Sequence, residues 1–285
     1  MAPKILKAIQ NFLNRGDKNG VDAIVDTPIV DEPTTTPTAD PVEDPMGWLL
    51  ESGMAEVMLM NTHEIKMMFM FGYALLHAYK LYPKLPERSA VSFRLISLML
   101  ACTGGGILVP ILTNGIPVTL SDSYPIVIIA AFLVNEYYPI IREVIGLSPV
   151  LKVPLICMYE CNRAFVVTKL VKAAASAIAP SEFDFPLFGP IFCGTIAGCG
   201  GAFLPMNKGL SPIQETGLQQ PMMSAFIAAT CFHLFYHTSL SDGVVNAHPK
   251  GQLAMAAFFI AHNIRATYFS GGAATNHVSA DKKKN

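Results

Sequence analysis

Six long apolar stretches dominate this 285-residue sequence and limit what it can fold into. A helix needs roughly 20 mostly apolar residues to cross the hydrocarbon core of a bilayer. Only 14% of the residues are charged, against roughly 25% in soluble globular domains. The sequence therefore predicts an all-α integral membrane protein. Its clearest spans are residues 91–112, 124–145, 150–175, 187–206, 221–240 and 251–270.

A seventh, weaker span is predicted over residues 55–82, where ionisable residues interrupt the apolar run. The preceding residues are rich in Asp, Pro and Thr, which predicts a disordered acidic tail that could begin with a short amphipathic helix. The predicted domains are this tail over residues 1–45, a seven-helix membrane domain over residues 46–272 and a C-terminal tail over residues 273–285.

Charge is distributed unevenly along the chain. Residues 1–64 hold four Lys or Arg against eleven Asp or Glu, whereas residues 65–285 hold sixteen against ten. The basic residues flank apolar runs and form no polar stripe, which argues against a nucleic-acid partner.

Basic loops favour the cytosol, and Lys80, Lys84 and Arg88 all follow span one. We therefore expect a lumenal N-terminus and a cytosolic C-terminus.

Glycine and proline occur together inside spans two and five, although both disfavour helix interiors. Gly105–Pro110 reads GGILVP, and Gly200–Pro205 reads GGAFLP, 95 residues later. Downstream, Pro125 opens span three and Pro221 opens span six. Because an odd number of crossings separates the copies, they would run in opposite directions. The sequence thus predicts seven transmembrane helices as two inverted three-helix repeats plus one C-terminal helix.

The paired glycine runs have two interpretations. A broken membrane helix is tolerated only where its freed backbone groups meet protein or water, which favours kinks beside a hydrated path. Alternatively, glycine lets two membrane helices approach closely. We favour the first interpretation, and the predicted pore kinks are Gly104, Gly105, Gly106, Gly198, Gly200 and Gly201.

Span four carries charged residues, which are costly inside a membrane. Glu160 and Arg163 stand three residues apart on one helical face, so they could form an internal ion pair or face an aqueous path or lipid phosphate. Lys169 and Lys172 follow on the same helix. They could form a basic strip that responds to voltage, or their long side chains could simply reach the membrane–water interface.

Other chemistry has little support in the sequence. His233 and His237 have the spacing of two zinc ligands, but no third ligand accompanies them, and we expect no metal site. The six cysteines lie in apolar segments without a CxxC pair. The sequence contains no P-loop, HExxH or nucleophile elbow, so we expect no enzymatic activity.

Taken together, residues 65–270 resemble the trimeric intracellular cation (TRIC) channels. That family has two inverted three-helix repeats, a seventh helix and glycine-rich kinks in its second and fifth helices. The segment MYECNRAFVVTKLVKAA is similar to the family's Lys-Glu-Val-x-Arg motif. Glu160 and Arg163 occupy the Glu and Arg positions, while Tyr159 stands in place of Lys and Cys161 in place of Val.

The resemblance implies a homotrimeric potassium channel of an intracellular membrane, which supplies counter-ion flow during calcium release. It also implies that the motif segment binds phosphoinositide lipid, so Glu160, Arg163, Lys169 and Lys172 are candidate lipid-binding or gating residues. No other cofactor is expected. The terminal Lys282–Asn285 fits a Lys-Lys-x-x signal for the endoplasmic reticulum.

Two alternatives to a channel remain open from the sequence. An inverted repeat also suits a secondary transporter, in which Glu160 would carry a coupled proton. A non-conducting lipid-binding or scaffold protein is the third class.

Overall fold

A computed structural model describes residues 44, 46–86, 88–180, 183–204, 211–214, 217–218 and 220–269. The chain separates into two compact units between Glu43 and Asp44, and the described residues belong to the second. The predicted N-terminal tail up to residue 43, Pro205 of the repeat and the terminal Lys282–Asn285 lie outside the described residues.

The described secondary structure is entirely helical, as predicted. Its α-helices are α1 (Gly47–Glu51), α2 (Gly53–Leu59), α3 (His63–Leu81), α4 (Val91–Leu112), α5 (Ser123–Tyr137), α6 (Ile140–Leu147), α7 (Pro149–Ala177), α8 (Phe188–Cys199), α9 (Ser211–Gln214), α10 (Met222–His237) and α11 (Ala247–Tyr268).

The predicted first span, residues 55–82, is two helices rather than one. Helix α2 ends where Met60 takes a left-handed conformation with φ of 55°. Helix α3 then begins with Thr62 as its N-cap, because the Thr62 hydroxyl accepts a hydrogen bond from the Ile65 amide at 3.3 Å. Only α3 therefore corresponds to the predicted first span.

The predicted third span, residues 124–145, is bent. Helices α5 and α6 meet at an angle of 93° across Tyr138 and Pro139. A residue before proline is disfavoured in helical conformation, and Tyr138 has φ and ψ of −126° and 69°. The backbone therefore turns at this dipeptide, and span three is not a single straight rod.

The two glycine runs behave differently. Helix α4 remains helical through Gly104–Gly106 and continues past Pro110 to Leu112. In span five, α8 ends at Cys199 and a single 3₁₀ turn, Gly200–Ala202, follows. The backbone is therefore interrupted at the second run, whereas the first run lies within an unbroken helix.

Length and apolar composition alone support fewer membrane crossings than the seven predicted. Among the described helices, only α4 is long and apolar enough to span a bilayer, and the bent pair α5 and α6 would add one if it counts as a single span. Helices α8 and α10 are apolar but shorter. The seven segments occur in the predicted order, and crossing by each of them stays a prediction.

The apolar core has a centre in each half of the chain. In the first half, α3, α4 and α5 pack through Ala74, Leu98 and Ala131. In the second half, α7, α10 and α11 pack through a cluster that includes Val167 and Phe259. Helix α4 also packs against α8 and its 3₁₀ turn, so the halves meet where the two glycine runs cross.

The contacts at this crossing are reciprocal. A Cβ on Gly105 would overlap the carbonyl oxygen of Ala197, and a Cβ on Gly201 would overlap that of Ala101. Adding 96 to each number of the pair 105 and 101 gives 201 and 197, so the contacts repeat at an offset of 96. The sequence alignment of the glycine runs at 95 was one residue short, whereas Pro125 and Pro221 already had this spacing.

Glycine at position 105 should be required for this close approach. We expect Gly105→Ala to lower the free energy of unfolding by about 1–3 kcal/mol, because the added methyl group meets backbone that cannot move aside. The measurement is thermal unfolding in detergent. Gly53→Ala is the matched control, since a Cβ there meets nothing within 4 Å. Equal melting temperatures for the two variants would contradict the tight crossing.

Candidate functional site

A cavity of about 410 Å³ lies at the crossing of the two halves. Its walls come from α3, α4, α7, α8 and α11, together with the start of α5 and the two residues that precede α10. All six glycines predicted as pore kinks line it: Gly104, Gly105, Gly106, Gly198, Gly200 and Gly201. The glycines thus combine close helix approach with a position on the wall of a cavity.

The cavity extends from the crossing toward one end of the helical bundle. Lys80 and Lys84 line it at the end where α3 finishes and α4 begins. Tyr124 and Val118 also line it, and Val118 lies against Gly106 in the middle of α4. The lining therefore runs from the Lys80 end of the bundle to the level of the glycine runs.

Arg163 lies beside the cavity, with only 5% of its surface exposed. Its Nε donates to the Gly198 carbonyl at 2.9 Å, and Nη2 donates to the Pro221 carbonyl at 2.6 Å and the Ser224 hydroxyl at 2.8 Å. Because α8 stops at Cys199, Arg163 satisfies a carbonyl in the last turn before the break. Arg163 therefore joins α7 to α8 and α10.

Glu160 balances the charge of Arg163. One carboxylate oxygen accepts from Arg163 Nη1 at 3.2 Å, and the other accepts from the Asn263 side-chain amide. The Arg163 guanidinium also lies 4.2 Å from the ring centre of Phe259, which like Asn263 belongs to α11. The ion pair with its partners thus connects four helices, which supports the internal-pair interpretation from the sequence.

Aromatic side chains form another part of the wall. The rings of Tyr73 and Tyr159 stack at 4.7 Å between centroids, and His77 lies 4.6 Å from Tyr73. The Lys80 ammonium lies 4.6 Å from the centre of the Tyr159 ring. In the sequence, Lys80 is visible only as a topology signal, and Tyr73 has no visible role because nothing around position 73 indicates a partner on α7.

Lys169 and Lys172 do not line the cavity. Lys169 lies 5.6 Å from the centre of the Phe165 ring, and Lys172 lies 5.5 Å from that of Tyr236. Both are on α7, beyond Arg163 in the direction away from Lys80. The structure therefore brings Glu160 and Arg163 together at the cavity and places the two lysines elsewhere.

A second ion pair ties the first half together. Arg94 on α4 forms a salt bridge with Glu136 on α5, and Glu136 also accepts a hydrogen bond from the Tyr82 hydroxyl at 3.3 Å. Arg94 also donates to the Ser89 carbonyl at 2.6 Å. Arg94 is therefore a structural residue near the start of α4, outside the cavity wall.

The histidine pair on α10 serves packing. His233 is fully buried, and its Nε2 lies 2.7 Å from the Pro186 carbonyl. Its ring lies 4.7 Å from that of His237. Within the described part of the chain, no group of three or more His, Cys, Asp or Glu residues is arranged to hold a metal.

The geometry can now be compared with known proteins. The chain is similar to a trimeric intracellular cation channel from C. elegans with bound Ca²⁺, at a TM-score of 0.59 and 19% identity, covering 77% of this chain and 99% of that one. The structure of a C. elegans channel without Ca²⁺ gives 0.54 and 20%, with coverage of 70% and 88%. The chain has the TRIC channel fold.

A third similar structure comes from a study of conductance through TRIC cation channels, at a TM-score of 0.55 and 17% identity, covering 73% of this chain and 94% of that one. The resemblance stated from sequence is therefore confirmed at the level of the fold. No family model matches the chain. No curated protein matches it either. The three TRIC structures are of ion channels rather than enzymes, in agreement with the sequence.

The buried ion pair should stabilise this fold. Arg163→Met should lower the free energy of unfolding by about 3–5 kcal/mol, because it leaves the Glu160 carboxylate buried without its charged partner. The double variant Glu160→Gln, Arg163→Met should recover part of that loss, since neither charge remains. The measurement is thermal unfolding of the purified protein in detergent.

Arg265→Gln, at an exposed position near the end of α11, is the control and should unfold at nearly the unaltered temperature. If Arg163→Met is as stable as this control, the ion pair does not hold the four helices together.

Proposed function

We propose that this protein is a cation channel whose path runs through the cavity between its two halves. The single observation that carries the proposal is a cavity lined by both glycine runs and extending from them to the Lys80 end of the bundle, within the TRIC channel fold. A channel requires polar groups along an open path. Asn263, Gln220 and Glu160 supply such groups to the cavity wall.

We further propose the ion, assembly, membrane and orientation of this channel. The conducted ion is potassium, the assembly is a homotrimer with one path in each copy, and the membrane is that of the endoplasmic reticulum. The N-terminus is lumenal and the C-terminus is cytosolic. The channel supplies counter-ion flow during calcium release. These assignments are supported by the similarity to trimeric intracellular cation channels and by the basic residues that follow span one.

If a phosphoinositide headgroup binds at the cavity, residues other than Arg163 must contact it. Arg163 donates from all three of its nitrogens to protein groups, which leaves its guanidinium engaged inside the fold. Lys80 and Lys84 are the basic residues at the open end of the cavity. If an anionic headgroup binds at the cavity, these two lysines are the candidate contacts.

The contacts of Glu160 favour a channel over the transporter alternative. A proton-coupled carboxylate must gain and lose its proton during each cycle. Both oxygens of Glu160 are already engaged, one by Arg163 and the other by Asn263. Protonation would break the ion pair that joins four helices, so we propose a structural role for Glu160.

Potassium flux into liposomes containing the purified protein tests the function, and planar-bilayer recording identifies its class. Discrete current steps indicate a channel, whereas small saturable currents without steps indicate the transporter alternative. Liposomes that remain tight to potassium would contradict both and favour a non-conducting lipid-binding or scaffold protein.

The path itself can be tested at Ala266, which lines the cavity near the end of α11. In a protein without Cys102, Cys199 and Cys231, we expect a bulky cationic thiol reagent to reduce the single-channel conductance of Ala266→Cys. A reducing agent should restore the current, which excludes misfolding as the cause. Ala261→Cys, which is exposed on the same helix but does not line the cavity, should be insensitive. Equal sensitivity of both variants would contradict the path.

The two lysines at one end should make conduction asymmetric. A fixed positive charge opposes an approaching cation by about 1 kcal/mol at 4 Å in water. Lys80→Gln with Lys84→Gln should therefore raise the current of cations entering from that end by about twofold to fivefold, with less effect on entry from the other end. Lys152→Gln is the control, since Lys152 lies over Tyr79 and is not among the cavity-lining residues. An unchanged current–voltage curve in the double variant would place the conduction path elsewhere.

A further inference from the structure

The first described residues form an exposed apolar surface. We use the name N-terminal strap for residues 44–59, which contain α1 and α2. Trp48 is 67% exposed and Met54 is 73% exposed, and Met46 and Val57 are exposed as well. Trp48 is the only tryptophan in the sequence. The single tryptophan of the sequence therefore lies outside the core.

The strap is fixed to the helical bundle at both of its ends. At its start, Lys250 Nζ lies 2.5 Å and 2.6 Å from the two carboxylate oxygens of Asp44, and Lys250 is only 6% exposed. This ion pair holds the pKa of Asp44 below its usual value of 3.8, so the pair is lost only when the pH falls below that value. At its end, Ala55 is buried and the following Met60 joins the core of the second half.

The position of the strap along the bundle is set by α11. Lys250 belongs to the first turns of that helix, and Leu50 and Leu59 share a surface pocket with Asn246 and Pro249, where α11 begins. If α11 crosses a bilayer, as the proposed function requires, its first turn lies at the membrane surface. The strap then lies at the same depth, beside the boundary between headgroups and acyl chains.

The exposed surface of the strap fits lipid better than protein. A stable contact between two copies buries roughly 800 Å² on each, from about 20–30 residues, and four side chains on helices of five and seven residues are far fewer. The preceding residues 1–43 hold seven Asp or Glu against four Lys or Arg. Glu51 and Glu56 are exposed on the strap, so its charge has the same sign as that of residues 1–43.

We infer that the N-terminal strap is a membrane-interface anchor, in which Trp48 inserts at the level of the lipid headgroups. Tryptophan is enriched at that level because its ring is apolar and its indole N–H is polar. Exposed Met54 and Val57 extend the same apolar surface, while Glu51 and Glu56 remain in contact with water. The inference rests on the membrane placement contained in the proposed function.

The single tryptophan allows a direct test with the full-length protein. We would measure Trp48 fluorescence in nanodiscs of phosphatidylcholine that carries bromine either near the headgroup or near the bilayer centre. The expected result is strong quenching by the shallow bromine, weaker quenching by the deep one and little quenching by acrylamide in the water. The Trp48→Phe variant supplies the background signal.

Two outcomes would overturn the inference. Strong acrylamide quenching without bromolipid quenching would mean that the strap faces water. Protection from both quenchers would mean that protein covers Trp48, either a second copy or residues 1–43.

Control variants distinguish a failure of the anchor inference from a failure of the proposed function. In the Trp48→Phe background, Ile129→Trp on α5 and Phe226→Trp on α10 place a single tryptophan at exposed apolar positions within spans, one in each half. The deep bromine should quench at least one of these probes. Quenching there with an unquenched Trp48 overturns the anchor alone, whereas no quenching at any of the three positions contradicts the membrane placement itself.

Discussion

The pair of Glu160 and Arg163 is the interaction on which the second half of this structure depends. A buried charge is stable only when it is paired and its hydrogen-bonding groups are satisfied. Here the two side chains meet those needs with groups from α8, α10 and α11. The requirement to satisfy one guanidinium thus fixes the relative positions of four helices. It also permits α8 to stop at Cys199, since Arg163 bonds the carbonyl of Gly198 next to the break.

The second constraint is the backbone contact between the halves. Glycine at four positions of the crossing lets α4 lie directly against the 3₁₀ turn after α8, with no side chain between them. Such a contact would ordinarily exclude a cavity. A cavity nevertheless lies beside the crossing, and polar and aromatic side chains from α3, α7 and α11 line it. Tight approach at one level and an open volume next to it are therefore two consequences of the same glycine runs.

The sequence predicted the order of the helices because the length of each apolar run, and the Gly and Pro residues that interrupt or end it, are local features of the sequence. A repeat of the glycine runs was also visible in the sequence, although their alignment was one residue from the offset of the reciprocal contacts. The bend at Tyr138–Pro139 was missed, since apolar composition continues across it. The role of Arg163 could not be read from span four, because its partners Gly198 and Ser224 are 35 and 61 residues away. Long-range satisfaction of a polar group is a tertiary property with no local pattern.

In the proposed channel, pairing also decides how a cavity that contains arginine can admit cations. An unpaired guanidinium in a narrow path would repel them, and at low dielectric that repulsion would be large. Glu160 offsets the charge of Arg163 within hydrogen-bonding distance, so the middle of the cavity is close to neutral. The remaining positive charge on the described wall lies with Lys80 and Lys84 at one end, and the Lys80 ammonium sits against the Tyr159 ring. The charge that a cation would meet in the proposed channel is thus displaced from the crossing to the end of the cavity, where water and salt screen it.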